Sequence, residues 1–370
     1  MIIGVPTEVK NAERRVGLTP TSVREVVAAG HQVIVQAGAG TGIDKSDDDY
    51  ERAGAKVAPT AADVWADADM VVKVKEPQAD ERAMLRPGQV LFTYLHLAPD
   101  PDQALDLVAS GATCVAYETV TDDQGRLPLL APMSQVAGRM SIQAGAFALE
   151  SAHGGSGKLL GGVPGVAPAQ VVIIGGGVVG KHATEMAVGM GADVTVLDRD
   201  LDVLNALDAR FDARITTLYS TADALEERVL GADLVIGAVL VKGARAPKLV
   251  TASMVRHMPA GSVLVDVAID QGGCFETSRA TTHDDPTYIV DDVVHYCVAN
   301  MPGGVPRTSA YALNNATLPF VLRLASGPLD MLRSDPHLRN GLNIHAGMVT
   351  EAAVADALDY DYVEPLAALA

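Results

Sequence analysis

Three glycines at fixed spacing form the clearest chemical motif of the chain. The aliphatic run Val171–Ile174 reads as a strand and leads through a G-x-G-x-x-G pattern into a helical segment. In this pattern the first glycine permits a tight turn, the second lets a pyrophosphate approach the backbone, and the third lets helix and strand pack closely. Gly175, Gly177 and Gly180 are therefore predicted to bind a dinucleotide.

A carboxylate follows the next predicted strand. Val194–Leu197 leads into Asp198, eighteen residues after Gly180, where a carboxylate can accept hydrogen bonds from ribose hydroxyls. Its negative charge would repel a 2′-phosphate, so the sequence favours NAD over NADP. Arg199 stands beside it, and a guanidinium there could accommodate such a phosphate, which leaves NADP as an alternative.

The glycine segment also fits a rival phosphate-binding pattern. Gly175 to Lys181 matches the G-x-x-x-x-G-K loop of nucleoside triphosphatases, but His182 follows where that loop needs a hydroxyl for magnesium. The pair Gly157-Lys158 lacks the hydroxyl too, and no strand precedes it. Strand, spacing and carboxylate together favour a dinucleotide over this loop and over a glycine-rich turn without a ligand.

Polar side chains after buried strands are further candidates, because open parallel sheets bind ligands beyond the carboxyl ends of their strands. Lys75, His96 and Asp270 each follow an aliphatic run, and Arg15 lies in the loop after the first strand. Lys75 and His96 belong to the first block of strands and Asp270 to the second, so a shared site would draw on both. Each has a structural alternative: a solvated ion pair, a satisfied histidine and a turn-forming aspartate.

Composition excludes several classes of protein. The chain has 46 acidic residues against 28 Lys and Arg, a net charge of −18, which disfavours nucleic acids and anionic membranes as partners. The densest apolar stretch, Ala232–Val241, contains Asp233 and is too short to span a bilayer. Cys114, Cys274 and Cys297 have no paired spacing, so we expect buried reduced thiols in a cytoplasmic protein, with neither disulfides nor a metal site.

Short aliphatic runs alternate with helical segments, which predicts parallel sheets covered by helices on both faces. The predicted strands are Ile2–Val5, Val33–Gln36, Met70–Val74, Val90–Leu95, Thr113–Tyr117, Val171–Ile174, Val194–Leu197, Leu234–Ala238, Val263–Val267 and Tyr288–Val290. Ser134 is predicted to cap a long helix that runs to about Glu150, and Thr308–Leu324 to form another. The remaining tail has helical segments and no predicted strand.

The length of 370 residues and the two blocks of strands predict two domains. We expect an α/β protein with two doubly wound, Rossmann-like parallel sheets, the NAD domain being inserted into a discontinuous substrate domain. The expected boundaries are residues 1–128 and 307–370 for the substrate (catalytic) domain and residues 129–306 for the NAD-binding domain.

Long motifs occur in a fixed order along the chain. They are VPTEVKNAERRVGLTP, KVKEP around Lys75, LFTYLHLA around His96, LPLLAPMSQVAGRMS, DVAIDQGGCFETSRATTH around Asp270 and YCVANMPGGVPRTSAYALNNAT. Over nearly the whole chain this order resembles the bacterial alanine dehydrogenase family. The resemblance implies a homohexamer that interconverts L-alanine with pyruvate and ammonium, using NAD. The related proton-translocating transhydrogenase shares the soluble fold, but its full assembly has membrane spans.

The resemblance also implies roles for individual residues. Arg15 and Lys75 resemble the pair that holds the substrate carboxylate and keto oxygen. His96 is similar to the family's acid/base residue, and Asp270 to its essential carboxylate facing the nicotinamide. Besides the three glycines, the implied cofactor contacts are Ser134, Val178, Val179, Asp198, Ser220, Val239, Leu240, Val267, Ala268, Ile269, Asp270, Arg279, Val298, Ala299, Asn300 and Met301.

Two positions depart from the family pattern. Arg199 replaces a usual aliphatic residue, and Val203 stands where many members have a base. Both concern the adenosine side, so the implied reaction is intact and the choice between NAD and NADP is affected. Activity on glyoxylate, a lysine-forming or other dehydrogenase on the same scaffold, and a non-catalytic NAD-binding module are the alternatives. The last of these gives no reason for Lys75, His96 and Asp270 at three strand ends.

Overall fold

Two compact units make up the chain, which the computed structural model describes over residues 1–239 and 246–370. One unit combines Met1–Met133 with Val305–Ala370, and the other is Ser134–Gly304. The strands are β1 Ile2–Val5, β2 Gln32–Gln36, β3 Lys56–Ala58, β4 Met70–Val72, β5 Val90–Thr93, β6 Thr113–Ala116, β7 Gln170–Ile174, β8 Asp193–Asp198, β9 Ile215–Tyr219, β10 Leu234–Gly237, β11 Val263–Asp266, β12 Thr287–Val290, β13 Val293–Tyr296, β14 Leu342–His345 and β15 Met348–Val349. The α-helices are α1 Pro20–Ala28, α2 Asp47–Arg52, α3 Ala61–Asp67, α4 Ala79–Arg82, α5 Pro101–Ser110, α6 Ala131–Ala148, α7 Val178–Gly189, α8 Leu201–Phe211, α9 Ala222–Leu230, α10 Ala252–His257, α11 Pro306–Ser326, α12 Pro328–Ser334, α13 Pro336–Arg339, α14 Ala352–Leu358 and α15 Pro365–Ala368.

The first unit is built on an eight-stranded sheet in the order β15-β14-β6-β5-β4-β1-β2-β3. Strands β1 to β6 are parallel, whereas β14 is antiparallel to both β6 and β15. The parallel strands follow the 3-2-1-4-5-6 order of nucleotide-binding sheets, which reverses between β1 and β4. Loops after β1 and β4 therefore lie where such sheets bind ligands.

The second unit contains a seven-stranded sheet in the order β12-β13-β11-β10-β7-β8-β9. Its strands are parallel except β12, which is antiparallel to β13. The order again reverses beside the first strand of the unit, here between β7 and β10. The glycine motif follows β7, so it also lies at the reversal point.

Continuous aliphatic runs form the central strands of both sheets. Every residue of β4, β5, β10 and β11 is buried, as expected for parallel strands covered on both faces. The predicted α/β class with two Rossmann-like sheets is confirmed. The antiparallel pairing of strands β12, β14 and β15 at the sheet edges was not part of that prediction.

Two local predictions are wrong. The tail, predicted to lack strands, contains β14 and β15, whose Leu342-Asn343-Ile344-His345 run is only four residues long and alternates apolar with polar residues. Ser134 does not cap α6, because that helix begins at Ala131 and Ser134 lies inside it. The helix can include Pro132 at its start because the first turn of a helix tolerates a proline, whose missing N–H has no intrahelical partner there. Strands β3, β9 and β13 were also not predicted.

The described helices contain none that is both long and apolar enough to cross a membrane. In the same residues, no group of three or more His, Cys, Asp or Glu side chains is arranged to hold a metal ion.

All three cysteines are buried free thiols, which confirms that part of the prediction. Burial raises the pKa of the Cys114 thiol to about 12, and burial also raises the pKa of Cys274 and of Cys297. Because the thiolate is the reactive form, we expect no modification of the native protein by a thiol reagent near neutral pH. Titration with the reagent before and after denaturation checks this: none of the thiols should react in the native state and all three in denaturant. Modification of one thiol in the native protein would contradict it.

Candidate functional site

The glycine-rich turn after β7 has the shape that a dinucleotide motif requires. Gly175 has φ +99°, and a Cβ there would lie 2.8 Å from the carbonyl oxygen of Ala238. A Cβ on Gly180 would lie 1.8 Å from the carbonyl oxygen of Gly175. Side chains are therefore excluded at both positions, the first by backbone conformation and the second by the contact between helix and turn.

Gly177 differs from the other two glycines because its surroundings are open. It is the N-cap of α7, and among the described residues no heavy atom would lie within 4 Å of a Cβ there. Val178, the first residue of α7, is 44% exposed, and Val179 follows it in the first turn. The N-terminus of this twelve-residue helix is thus exposed at Gly177 and Val178, and a helix N-terminus suits a pyrophosphate.

Asp198, at the end of β8, is held beside the same turn. One of its carboxylate oxygens accepts the amide of Gly176 at 2.6 Å, and the other accepts the amide of Asp200 at 2.9 Å. Each oxygen keeps a further lone pair for a ribose hydroxyl. The side chain of Val203 borders this position, with Cγ1 2.7 Å from where a Cβ on Gly176 would be, while Arg199 is exposed. The residues present therefore fit a dinucleotide.

Other predicted cofactor residues surround this turn. The amide of Ser220 donates to the carbonyl oxygen of Asp198 at 2.9 Å, and Val239 Cγ2 lies 3.2 Å from the Cβ position of Gly175. Leu240 falls outside the described residues. Ser134 lies one helical turn before Gly138, where α6 meets the first turn of α7: a Cβ on Gly138 would be 2.2 Å from the carbonyl oxygen of Val179.

The remaining predicted cofactor residues lie after β11 and β13. Val267, Ala268, Ile269 and Asp270 form a short 3-10 turn with Gln271. Asp270 is exposed, and its Oδ1 accepts the amide of Asn300 at 3.2 Å, which joins this turn to the segment of Val298, Ala299, Asn300 and Met301. Arg279 lies with its guanidinium 4.0 Å above the ring centre of Tyr288.

Replacing Gly177 by valine should block the cofactor without unfolding the protein. The backbone at Gly177 is extended, so valine fits it, and the space around it is open. We expect the dissociation constant for NADH to rise at least tenfold, about 1.4 kcal/mol, because the side chain occupies the pyrophosphate position. Gly189→Ala is the control, since Gly189 lies in the same helix and is equally unobstructed. Unchanged NADH affinity in Gly177→Val would place the cofactor elsewhere.

In the first unit, Arg15 is a buried cation with a fixed orientation. It is 2% exposed, and its Nε and Nη2 donate to the two carboxylate oxygens of Glu13 at 2.6 and 2.5 Å. Its Nη1 lies 2.9 Å from Sδ of Met133. Burial opposes the charged form, but the hydrogen bonds and charge of Glu13 outweigh it and raise the pKa of Arg15. A cleft of about 330 Å³ borders this pair, lined by Thr7, Glu8, Glu13, Arg14, Arg15, Gly38, Ala39, Thr41 and Gly42.

Lys75 follows β4 and is held by Glu8, which follows β1. The carboxylate of Glu8 accepts the amides of Val74 at 2.6 Å and Lys75 at 3.3 Å. The same carboxylate lies 3.2 Å from Nζ of Lys73, which also pairs with Glu81 at 2.7 Å. Lys73 is fully buried, and the two glutamates outweigh burial and raise its pKa. Glu8 thereby joins the carboxyl ends of the two strands at the reversal point.

His96 follows β5 and is held by Glu118, which follows β6. Glu118 Oε1 accepts the amide of His96 at 2.6 Å and lies 3.7 Å from its Nδ1. The imidazole stacks on the ring of Tyr94, with 5.7 Å between the two ring centres, and the His96 side chain is 44% exposed. His96 has φ +49°, an uncommon conformation for a residue with a side chain. A reachable imidazole in a strained, anchored backbone is typical of a functional position.

Three glutamates that hold Arg15, Lys75 and His96 are not predicted from the sequence. Glu8, Glu13 and Glu118 all lie after strands, so the signal used for Lys75 and His96 is present for them as well. Glu13 binds Arg15 within one loop, whereas the partners of Glu8 and Glu118 depend on which strands are neighbours. The sheet order supplies that information, and the apolar pattern does not.

A Rossmann-type nucleotide-binding unit and a second α/β unit with basic residues at its strand ends are typical of a dinucleotide-dependent oxidoreductase. The chain matches the family described as alanine dehydrogenase/PNT, N-terminal domain, over residues 4–137, and its C-terminal domain over residues 141–352. It therefore belongs to the alanine dehydrogenase/PNT family, as the motifs predicted.

Individual relatives are similar in sequence over nearly the whole chain. The alanine dehydrogenase of Halomonas elongata is 61% identical over 365 residues, 98% of either chain. A solved structure of an L-alanine dehydrogenase is 52% identical with a TM-score of 0.95, covering 97% of this chain and 99% of that one. A transhydrogenase structure from Sinorhizobium meliloti is 25% identical with a TM-score of 0.84, covering 95% of this chain and all of that one.

Proposed function

We propose that this protein catalyses the reversible oxidative deamination of L-alanine to pyruvate and ammonium with NAD. The overall reaction consumes alanine, NAD⁺ and water and yields pyruvate, NADH, ammonium and a proton. The observation that carries the proposal is the set of three basic residues, Arg15, Lys75 and His96, after three adjacent strands of a family member. A non-catalytic binding module has no use for such a set.

Substrate binding falls to Arg15 and Lys75. Glu13 already accepts from Nε and Nη2 of Arg15, so the orientation of the guanidinium is set before the substrate arrives. Such preorganisation reduces the entropy lost when a planar 2-oxo acid is bound. We assign the carboxylate to Arg15 and the keto oxygen to Lys75, whose ammonium polarises the carbonyl towards attack by ammonia.

Proton transfer falls to His96. Imidazole is the side chain best suited to gain and lose a proton near neutral pH. Its ring is partly exposed and the backbone at its base is fixed by Glu118, so it can reach the oxygen that becomes water in the direction of alanine synthesis. We therefore assign His96 as the group that delivers and removes the proton at this oxygen.

A bound nicotinamide cofactor supplies the hydride acceptor or donor. Gly175, Gly177, Gly180 and Asp198 hold its pyrophosphate and ribose in the proposal, and Asp198 favours NAD because a 2′-phosphate beside this carboxylate would be repelled. Asp270 contributes a negative charge that stabilises ammonium and the cationic imine formed from the substrate. Its carboxylate is oriented by the amide of Asn300.

The proposal is tested by following NADH oxidation in the presence of different oxo acids. We expect oxidation with pyruvate and ammonium together, little when ammonium is omitted, and weaker activity with glyoxylate than with pyruvate. NADPH should be a poorer donor than NADH, since Asp198 opposes its phosphate. Oxidation with 2-oxoglutarate but not pyruvate would favour another amino-acid dehydrogenase. NADH binding without oxidation of any kind would favour the binding module.

A cytoplasmic homohexamer is also part of the proposal and rests on the family resemblance. Sedimentation equilibrium measures the assembly directly. A mass near six times the chain mass of 38.5 kDa is expected. A monomer over the concentration range of the assay would contradict it.

A further inference from the structure

A second aspartate lies buried beneath the turn that carries Asp270. Asp266 is the last residue of β11, and its side chain is fully buried. Its Oδ2 accepts the hydroxyl of Ser278 at 2.5 Å and the amides of Cys274 at 2.9 Å and Phe275 at 3.3 Å. Its Oδ1 accepts the amide of Ala268 at 3.1 Å and faces the thiol of Cys274 at 3.5 Å. Five donors therefore converge on one side chain, although burial outweighs them and raises the pKa of Asp266.

Lys248 binds backbone carbonyl groups of the same segment, whereas Asp266 binds its N–H groups. Its Nζ donates to the carbonyl oxygens of Gly272 at 2.6 Å, Gly273 at 2.9 Å and Phe275 at 3.0 Å. Asp266 holds the N–H groups on either side of the turn, and Lys248 holds its carbonyl groups. We call these two side chains and the segment they bind, residues 267–278, the Asp266 network.

The backbone at Gly273 packs closely against the carboxylate of Asp266. Gly273 has φ +75°, and a Cβ there would lie 2.6 Å from Oδ2 of Asp266. The chain therefore passes directly over the carboxylate with no space for a side chain. Asp270 lies on the exposed part of the segment between Ala268 and Gly273, and its carboxylate accepts the amide of Asn300 at 3.2 Å.

We propose that Asp266 and Lys248 are positioning residues that hold the Asp270 turn in its reactive conformation. This inference rests on the role given to Asp270 under the proposed function. A reactive group must be held to within about 0.5 Å of its productive position, and a displacement of about 1 Å lowers the rate about 100-fold. A turn of this length in water samples many conformations, and the network removes that freedom before the substrate binds.

Asp266→Asn tests the proposal while keeping the size of the side chain. One of its oxygens becomes an NH₂ group that faces existing donors, so the turn should loosen. We expect kcat to fall about 10–100-fold and hydrogen exchange to accelerate at the amides of Ala268, Cys274 and Phe275. Lys248→Met, on an exposed residue, should produce the same changes in smaller degree and carries the test if Asp266→Asn does not fold. Unchanged kcat and exchange in these variants would overturn the proposal.

Ser262→Ala is the matched control, because Ser262 immediately precedes the first residue of β11 and Asp266 is the last residue of that strand. The Ser262 hydroxyl donates to the carbonyl oxygen of Ala232 at 2.9 Å and is equally buried, but it does not touch the turn. It should lower the free energy of unfolding and leave kcat and the exchange of the turn unchanged. If Ser262→Ala lowers kcat as much as Asp266→Asn, the effect is one of general stability and the proposal fails.

A double-variant cycle separates positioning from a merely structural role. In the Asp270→Asn background, Asp266→Asn should lower kcat by less than twofold more, because the group that it positions is already lost. A full additional loss would overturn the inference. If the wild-type protein does not oxidise NADH with pyruvate and ammonium, the proposed function fails, whereas the exchange rates still decide whether the network holds the turn.

Discussion

His96→Asn is expected to lower kcat about 10²–10⁴-fold for pyruvate and ammonium while NADH binding changes by less than twofold. This range is the usual contribution of a general acid or base, and the amide of asparagine cannot exchange a proton near neutral pH. Asparagine is preferred to alanine because His96 has φ +49°, a conformation that asparagine tolerates better. His96→Ala should show at least the same loss of turnover. Steady-state rates and NADH fluorescence titration measure the two effects.

His31→Asn is the control for this variant. His31 belongs to the same unit but precedes β2, at the opposite ends of the parallel strands from His96. Its replacement should leave kcat unchanged. Near-full activity in His96→Asn, with normal dependence on pyruvate concentration, would remove His96 from the proposed mechanism.

Arg15→Met is expected to raise the KM for pyruvate about 10–100-fold and to destabilise the protein. Hydrogen bonds to charged groups contribute about 1.5–3 kcal/mol, which corresponds to that range. The destabilisation has a separate origin, because the carboxylate of Glu13 is buried and loses its cation. Breaking a buried pair in this way costs about 3–5 kcal/mol of unfolding free energy. Steady-state kinetics and urea unfolding measure the two quantities.

Combining Arg15→Met with Glu13→Gln separates these effects. The double variant removes the buried negative charge, so part of the lost unfolding free energy should return. The KM for pyruvate should stay high, because no guanidinium is present to bind the carboxylate. Recovery of pyruvate binding in the double variant would show that Arg15 acts on stability alone.

Features carried by short local patterns could be predicted from the sequence. The glycine turn depends on residues adjacent in the chain, and Gly175, Gly177 and Gly180 each have the surroundings that the motif implies. The central strands could be predicted because β4, β5, β10 and β11 are short, mostly apolar runs whose residues are all buried. A predicted strand also predicts where that strand ends, so Lys75 and His96 could be identified as strand-end residues from the sequence.

Features that depend on neighbours distant in sequence could not be predicted. Glu8 holds the backbone of Lys75 across 67 positions, and Glu118 holds His96 across 22. The sequence places Asp266 only within the predicted strand Val263–Val267, because its donors come from a turn that folds back over it. Strand β14 has four residues and is defined by antiparallel pairing with β6 and β15, so its own residues carry a weak signal.

The central claim concerns the bond formed between nitrogen and the substrate carbon. The most direct measurement is to incubate the protein with pyruvate, NADH and ¹⁵N-ammonium and to analyse the amino acid formed by chiral chromatography and mass spectrometry. We predict L-[¹⁵N]alanine, equal in amount to the NADH consumed, and its loss in His96→Asn. Consumption of NADH with no labelled alanine, or with lactate as the product, would contradict the account.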